Sequence, residues 1–170
     1  GMGETAENLF DKYKIPREEQ DEFAINSHLK ASAAQKNGWF DEEIVPVEIP
    51  ATRRTPAITF DKDETIRHEI DTAKMAKIKP AFRKDGTVTA GNACGLSDGA
   101  TALIVTHRKN AEELGVKPLF SIVSYSQVAV GPSTMGEGPA LSIPAALDNA
   151  GMTLNDMDLI EVNEAFAIQV

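Results

Sequence analysis

The second half of the chain alternates short apolar runs with helix-like stretches, and this alternation most restricts the folds open to it. Residues 102–106 and 159–162 are short apolar runs typical of buried strands, and residues 119–130 are rich in β-branched side chains. Residues 110–114 and 141–150 have helical patterns, each followed by a glycine. Strand, helix, strand and helix in this order indicate an α/β architecture.

The first 85 residues have a different character. An apolar pattern at helical spacing predicts a short helix over residues 6–13, and Pro16 marks the start of a longer one that ends at Asn37. Residues 39–60 are β-like but are interrupted by the closely spaced Pro46 and Pro50, which favours an edge or irregular strand. Residues 72–78 predict one or two helical turns. This part is therefore expected to be an irregular α+β region.

The longer predicted helix of the first part carries a stripe of small side chains. The stripe consists of Ala24, Ser27, Ala31 and Ala34. Small residues on one helix face suggest close packing against a neighbouring element. His28 lies on the same helix and is expected at the surface.

Composition excludes several classes of function. The 170 residues predict one domain or slightly more, and 42% apolar residues is an ordinary globular value. A net charge of −9 argues against nucleic-acid binding, although a local cluster of cations could still bind a phosphorylated small ligand. No apolar run is long enough to cross a bilayer and no signal peptide is visible. With one cysteine and no convincing metal-ligand spacing, we expect a cytoplasmic protein without a metal.

Six segments together resemble one family. The main three are residues 88–100 (VTAGNACGLSDGA), 135–139 (MGEGP) and 163–167 (NEAFA), and the others are residues 2–8 (MGETAEN), 66–68 (IRH) and 79–82 (KPAF). In wording, order and spacing they resemble the signatures of thiolases of the acetyl-CoA acetyltransferase type. The resemblance covers essentially the whole chain and implies a partial thiolase fold, with mixed sheets, helices and an irregular α+β loop domain.

The resemblance implies acyl transfer between coenzyme A thioesters by Claisen condensation and thiolysis. A nucleophilic cysteine takes the acyl group in this family, and a second cysteine and a histidine in a Gly-His-Pro turn complete the chemistry. Neither catalytic cysteine segment nor the Gly-His-Pro turn occurs here, so the chain alone is expected to be inactive. Coenzyme A or acetyl-CoA would be the substrate, with no covalently bound cofactor. The alternative is a non-catalytic acyl-CoA-binding or interaction module derived from the thiolase fold.

Asn163, in the NEAFA segment, is the one catalytic residue that the resemblance assigns within this chain. It would hold a water molecule in an oxyanion hole, a task that suits an uncharged amide. Asn is also a good residue for starting a helix, so Asn163 is expected to open one, and both roles can coexist. Because a pure binding module does not need this amide, its presence favours a chain shaped by catalysis.

By the same resemblance, eight residues would contact coenzyme A or the acyl group. They are Met2, Arg67, Phe82, Ala90, Cys94, Met135, Ala165 and Phe166. A planar guanidinium at Arg67 suits adenine or phosphate, but the residue could equally be a solvated loop charge. Lys74 either adds a phosphate contact or points to solvent, and we favour solvent. The Phe and Met residues could instead be ordinary core residues.

Cys94 is the only cysteine, which makes it a tempting nucleophile. In the family this position normally holds a serine whose hydroxyl binds a pantetheine amide. A thiol is a weaker hydrogen-bonding partner than a hydroxyl group. Cys94 is therefore expected to line the binding site without acting as the nucleophile.

The resemblance also predicts the organisation of the chain. Residues 1–85 correspond to the later part of the thiolase loop domain, residues 86–117 to the end of the N-terminal half, and residues 118–170 to the start of the C-terminal half. An internal fragment of this kind leaves sheet edges and an apolar face uncovered. The expected partners are therefore further copies of the chain or the remaining thiolase segments.

Overall fold

The computed structural model describes residues 1–170. Its five α-helices are α1 (Met2–Tyr13), α2 (Arg17–Lys36), α3 (Thr72–Met75), α4 (Arg108–Glu113) and α5 (Gly138–Ala150). Two strands, β1 (Val47–Ile49) and β2 (Ile58–Phe60), form a small sheet. Short 3₁₀ segments cover Pro132–Glu137, Leu154–Asp156 and Ala167–Gln169. None of the helices is both long and apolar enough to cross a membrane.

The hydrophobic core lies along the inner face of α1. Ala6 and Leu9 of this helix pack against Val88 and Ile168, which brings together three distant parts of the chain. Burying an aliphatic side chain of this size stabilises the fold by roughly 1.5–3 kcal/mol. The predicted apolar pattern of the first helix is therefore confirmed, and it fixes residues 86–94 and 165–169 on the same helix face.

Beside this core, a buried carboxylate on α1 holds the loop at residues 86–88 against the helix. Glu7 is fully buried and accepts hydrogen bonds from the backbone N–H groups of Thr87 and Val88, at 2.9 and 3.0 Å. A Cβ atom on Gly86 would lie 2.1 Å from Glu7 Oε1, so a glycine is required at this close approach. The contact keeps residues 86–88 against α1.

A second polar cluster fastens α2 to the same loop. The amide of Asn92 donates to Asp21 at 2.9 Å, and the guanidinium of Arg17 donates to the same carboxylate at 2.8 Å. Arg17 also donates to the backbone carbonyls of Met75 and Ile78, at 3.0 and 3.2 Å. Because each of these groups has a partner, the cluster is stabilising although largely buried.

The sheet is a two-stranded antiparallel hairpin that lies outside the hydrophobic core. Val47 pairs with Phe60 and Ile49 pairs with Ile58, and the side chains of both strands are exposed. This confirms the irregular or edge strand expected between residues 39 and 60.

Three segments that the sequence predicts as strands form none. Residues 102–106, 119–130 and 159–162 have no hydrogen-bonded partner strand. Leu103 and Leu119 are 71% and 94% exposed, so the prediction of buried strands was wrong for this chain on its own. The physical reason is that a strand exists only when its N–H and C=O groups pair with a neighbour. Within these 170 residues the backbone pairings are the β1–β2 ladder and one isolated bridge, and neither involves these segments.

Helix α5 confirms the helix predicted over residues 141–150. The hydroxyl of Ser124 donates to the carbonyl of Ala146 at 2.8 Å, and that of Ser126 donates to the carbonyl of Ser142 at 2.7 Å. Part of the serine-rich segment 119–130 therefore lies along the helix through side-chain hydrogen bonds, in place of a strand ladder.

The helix predicted to open at Asn163 does not form. Residues 163–166 are non-helical, and Phe166 forms an isolated antiparallel bridge with Ala93. The N–H of Cys94 donates to the carbonyl of Ala165, and the N–H of Ala167 donates to that of Asn92, both at 2.9 Å. Pairing with residues 92–94 takes the backbone groups that a helix would have used. Asn163 therefore has no capping role.

Candidate functional site

Two neighbouring cavities are formed where α1, α2 and residues 163–169 meet. The larger has a volume of about 740 Å³ and lies between α2, the loop 63–67 and residues 89–97. Four residues predicted from the sequence line it: Arg67, Phe82, Ala90 and Cys94. The fold thus gathers positions that are spread over nearly 30 residues of chain into one open cleft.

The smaller cavity has a volume of about 230 Å³ and lies between α1, the start of α5 and residues 162–169. The remaining five predicted residues line it: Met2, Met135, Asn163, Ala165 and Phe166. Its walls are mainly apolar, and the amide of Asn163 is one of few polar side chains among them. The nine predicted residues therefore divide between two cavities with different chemistry.

Residues 163–167 form the partition between the cavities. Glu164 and Ala167 line the larger one, whereas Asn163, Ala165 and Phe166 line the smaller. The rings of Phe82 and Phe166 meet edge to face, with centroids 6.2 Å apart, and so join the two walls. A single extended segment thus presents different residues to each cavity.

A glycine of α1 allows Phe82 to take this position. A Cβ atom on Gly3 would lie 2.2 Å from the ring of Phe82, well inside any real contact distance. Gly3 is itself buried beneath the ring. The Gly in the MGETAEN segment therefore makes room for the aromatic side chain at the junction of the cavities.

The MGEGP segment is held against α1 by charged and polar side chains. Glu137 accepts hydrogen bonds from Lys12 at 2.5 Å and from the hydroxyl of Tyr13 at 2.9 Å. The hydrogen bond from Lys12, followed by that from Tyr13, lowers the pKa of Glu137 below its usual range. A Cβ atom on Gly136 would approach Leu9 Cδ1 to 2.7 Å. These contacts set Met135 at the rim of the smaller cavity.

His28 is a cleft residue that the sequence did not reveal. It was expected at the surface, but it is half-buried and lines the larger cavity. Its Nδ1 atom accepts a hydrogen bond from the backbone N–H of Arg67 at 3.3 Å. Burial, and then the charge of Arg67, lower the pKa of His28 below 6.5. The available signal in the sequence was that His28 directly follows Ser27, a member of the small-residue stripe.

The small-residue stripe of α2 faces the larger cavity. Ala24, Ser27 and Ala31 line this cavity, and only Ala34 is buried against protein. The prediction of close packing was therefore wrong for most of the stripe. Small side chains leave open space in front of the helix, and that space is the cleft.

The basic side chains near the cleft differ in their surroundings. The guanidinium of Arg67 makes no hydrogen bond or ion pair within the chain and lies at the mouth of the larger cavity. The Lys74 side chain is 85% exposed and lies 3.4 Å from Asp71, in agreement with the expected solvent position. His68 Nδ1 lies 2.8 Å from the hydroxyl of Ser32.

Cys94 is exposed and free, and it lines the larger cavity. No histidine forms a hydrogen bond with its thiol, as an activating base would. No three His, Cys, Asp or Glu side chains come close enough together to hold a metal ion.

Comparison with known proteins places the chain in a family. Residues 1–109 match the thiolase N-terminal domain, and residues 116–170 match the thiolase C-terminal domain. The chain therefore belongs to the thiolase family, as its motifs indicated. The N-terminal match ends and the C-terminal match begins around helix α4 (Arg108–Glu113).

Individual relatives and solved structures agree with this assignment. An acetyl-CoA acetyltransferase of Chromobacterium violaceum is 50% identical over 99% of this chain, and a probable acetyl-CoA acyltransferase of Staphylococcus epidermidis is 49% identical. The crystal structure of the Bacillus anthracis acetyl-CoA acetyltransferase superposes with a TM-score of 0.89 at 50% identity. Human mitochondrial 3-ketoacyl-CoA thiolase in complex with CoA superposes with a TM-score of 0.87 at 44% identity.

The length of these relatives is as informative as their similarity. The chain spans 43% of the Chromobacterium protein and 42% of the Staphylococcus protein. The superpositions include 99% of this chain but only 42% and 41% of the two solved chains. The α/β, partial thiolase fold predicted from the motifs is thus confirmed, although most of its predicted strands are unpaired here.

Proposed function

We propose that the chain forms the coenzyme A-binding wall of an acetyl-CoA acetyltransferase. The observation that carries this proposal is the division of the nine predicted residues between two adjoining cavities. One cavity is large, open and edged by a free guanidinium, and the other is small and mainly apolar. An acyl thioester has the same division, with a long polar carrier at one end and a short apolar group at the other.

The larger cavity would take the coenzyme A moiety. Its volume of about 740 Å³ lies within the roughly 300–1,000 Å³ usual for ligand pockets. The unpaired guanidinium of Arg67 is available for adenine stacking or phosphate. The pantetheine arm would lie along Ala90 and Cys94, with Phe82 beside it. A solved relative of the same fold that is complexed with CoA supports this assignment.

The smaller cavity would take the acyl group. Met2, Met135 and Phe166 supply apolar walls for it. The amide of Asn163 would hold a water molecule that stabilises the negative charge developing on the thioester oxygen. Ala165 completes this wall and leaves space for a short acyl chain. We therefore propose an acetyl thioester as the preferred ligand of this cavity.

The complete reaction would need residues outside this chain. By resemblance its single cysteine takes the position of a ligand-binding serine, and no histidine forms a hydrogen bond with its thiol. The acyl-carrying cysteine, the proton-transferring cysteine and the Gly-His-Pro histidine would come from the part of a whole thiolase that these 170 residues do not span. The proposed role here is binding and oxyanion stabilisation, in a cytoplasmic enzyme.

The same reasoning supports a proposal for partners. Ile104, Leu119 and Val123 are 97%, 94% and 78% exposed, so a large apolar surface is available for association. Complementary thiolase segments would supply the missing strand partners of residues 102–106 and 119–130. Further copies of the chain are the second candidate partner for this surface. Light scattering at increasing concentration distinguishes a self-associating chain from a monomeric one.

Titration calorimetry with coenzyme A tests the binding role of Arg67. We expect Arg67→Ala to weaken the binding of coenzyme A about tenfold, because a charge-assisted contact is lost. Arg108→Ala is the matched control, since this arginine lies on α4, outside both cavities, and should leave the affinity unchanged. Equal affinities for the two variants would contradict the assignment of Arg67.

A thiolysis assay with acetoacetyl-CoA separates the proposed enzyme part from a pure binding module. The chain alone should show no turnover, because it lacks a suitable nucleophile. Addition of a separately produced remainder of a thiolase should restore turnover, and Asn163→Ala should abolish most of it. Turnover by the isolated chain would overturn the proposal, whereas binding without any restored turnover would favour the module.

A further inference from the structure

The partition between the two cavities has one side-chain anchor on α2. Residues 163–167 are joined to residues 92–94 by backbone hydrogen bonds on one side. On the other side, the carboxylate of Glu164 accepts a hydrogen bond from the hydroxyl of Ser27. These two residues are 137 positions apart, and both line the larger cavity.

Within the chain Glu164 makes one side-chain hydrogen bond, and its charge also acts to raise the pKa of His28 against the larger effects of burial and Arg67. It forms no ion pair with a lysine, arginine or histidine, and Ser27 is its single side-chain hydrogen-bonding partner. The hydrogen bond turns the carboxylate of Glu164 to α2, which is the geometry of an anchor between the partition and that helix.

The alternation along the partition explains what the anchor achieves. Because Glu164 is drawn towards α2, its neighbours Asn163 and Ala165 line the opposite, smaller cavity. Phe166 then reaches the ring of Phe82 at 6.2 Å. A rotation of this segment about its own axis would turn Asn163 away from the smaller cavity.

We propose that Glu164 is a positioning residue. By accepting the hydrogen bond from Ser27, it fixes residues 163–167 as the partition and holds Asn163 towards the smaller cavity. The consequence for acyl groups rests on the proposed function. The anchor itself is a property of the chain without ligand, so the two can fail separately.

Hydrogen exchange on the ligand-free chain tests the anchor. The amides of Cys94 and Ala167 report on it, because they donate to the carbonyls of Ala165 and Asn92 across the partition. Glu164→Ala and Ser27→Ala should each speed exchange at both amides about fivefold, as loss of one solvent-exposed hydrogen bond implies. The Val88 amide, bonded to Glu7, should not change and shows that the core is intact.

Conservative and double variants separate an anchor from a mere charge. Glu164→Gln keeps an acceptor oxygen for Ser27 and should exchange nearly as slowly as the parent chain. Ser27→Ala combined with Glu164→Ala should exchange no faster than either single variant. Glu161→Ala is the matched control, since Glu161 is exposed and forms no hydrogen bond or ion pair. If Glu164→Gln behaves like Glu164→Ala, or if the single effects add, the anchor is refuted.

The acyl consequence needs a ligand measurement. We expect Glu164→Ala to weaken acetyl-CoA binding about fivefold while changing coenzyme A affinity less than twofold, and Glu164→Gln to restore both. Equal weakening for the two ligands would refute the positioning of the acyl cavity. If neither ligand binds the parent chain, the proposed function fails, and the exchange result still decides whether the anchor exists.

Discussion

Two regions of this chain contain apolar residues in similar proportion but bury them very differently. The packed region consists of residues 1–36, 72–94 and 163–169, and the open region consists of residues 95–131. All of the 15 buried residues except Ala111 lie in the packed region. In the open region Leu96, Ile104 and Leu119 are almost fully exposed.

The difference between the regions lies in what each segment has to pack against. In the packed region, Leu9 and Val88 are brought together by polar contacts such as that of Glu7 with residues 87 and 88. The open region has strand-like sequence but no partner strand, and its contact with α5 through Ser124 and Ser126 leaves most of its apolar side chains exposed. Apolar patterning therefore shows which residues need burial, whereas burial itself requires a complementary surface.

The largest expected difference comes from removing one leucine from each region. Leu9 is 3% exposed and Leu103 is 71% exposed. Leu9→Ala should lower the free energy of unfolding by about 2–5 kcal/mol, because it leaves a cavity in the core. Leu103→Ala should change it by less than about 0.5 kcal/mol. Urea unfolding followed by circular dichroism measures both, and similar losses would remove the distinction between the regions.

A smaller effect is expected from two glutamates that differ in the same way. Glu7→Ala should lower the free energy of unfolding by about 2–3 kcal/mol, because the buried N–H groups of Thr87 and Val88 lose their acceptor. Glu113 forms a single, solvent-exposed ion pair with Lys109 at 3.7 Å. Because such pairs contribute little, Glu113→Ala should change stability little. Chemical denaturation of both variants decides the matter, and a stable Glu7→Ala chain would show that the carboxylate is not needed.

Two glycines sharpen the comparison at the level of a single methyl group. A Cβ atom on Gly136 would meet Leu9 at 2.7 Å, whereas one on Gly95 would meet nothing within 4 Å. Gly136→Ala should therefore cost about 1 kcal/mol through overpacking, and it should shift Met135 at the cavity rim. Gly95→Ala should be neutral or slightly stabilising. Thermal melts of the two variants should differ by several degrees, and equal melting temperatures would argue against close packing of the MGEGP segment.

The smallest expected effect is a pH dependence from His28. Its pKa is lowered below 6.5 by burial and by Arg67, against the opposing charges of Asp63 and Glu164. The unfolded state then binds more protons than the folded state just below pH 6.5, so stability from this group is complete above that pH and declines as the pH falls.

Unfolding at pH 7.5 and 5.5 measures this contribution. His28→Gln should lose less stability between the two values than the parent chain does. His107→Gln is the control, because His107 lies outside both cavities, at the start of α4. An identical pH dependence in His28→Gln and the parent chain would show that His28 does not titrate differently on folding.

The sequence predicted much of the site because most of its residues belong to short contiguous motifs. Residues such as Ala90, Cys94, Asn163 and Phe166 are identified by their immediate neighbours, and the structure brings each to a cavity wall. Their roles there are proposals. The helices α1, α2 and α5 were also predictable, because apolar spacing and Pro or Gly boundaries are local signals.

What the sequence could not show depends on distant contacts. The helix expected after Asn163 is replaced by pairing with residues 92–94, some 70 positions away. His28 enters the cleft because loop residue Arg67 folds over it. The strands expected at 102–106 and 119–130 need partners that local patterning cannot supply. Each of these differences is a case of tertiary context overriding local preference.

The central claim is that the cavities on either side of the partition bind coenzyme A. Hydrogen exchange with and without saturating coenzyme A tests it most directly. We predict slower exchange at residues 89–95, 163–167 and around Arg67, with residues 102–106 and 119–130 unchanged. Protection confined to the open region, or no protection anywhere at saturating ligand, would contradict the claim.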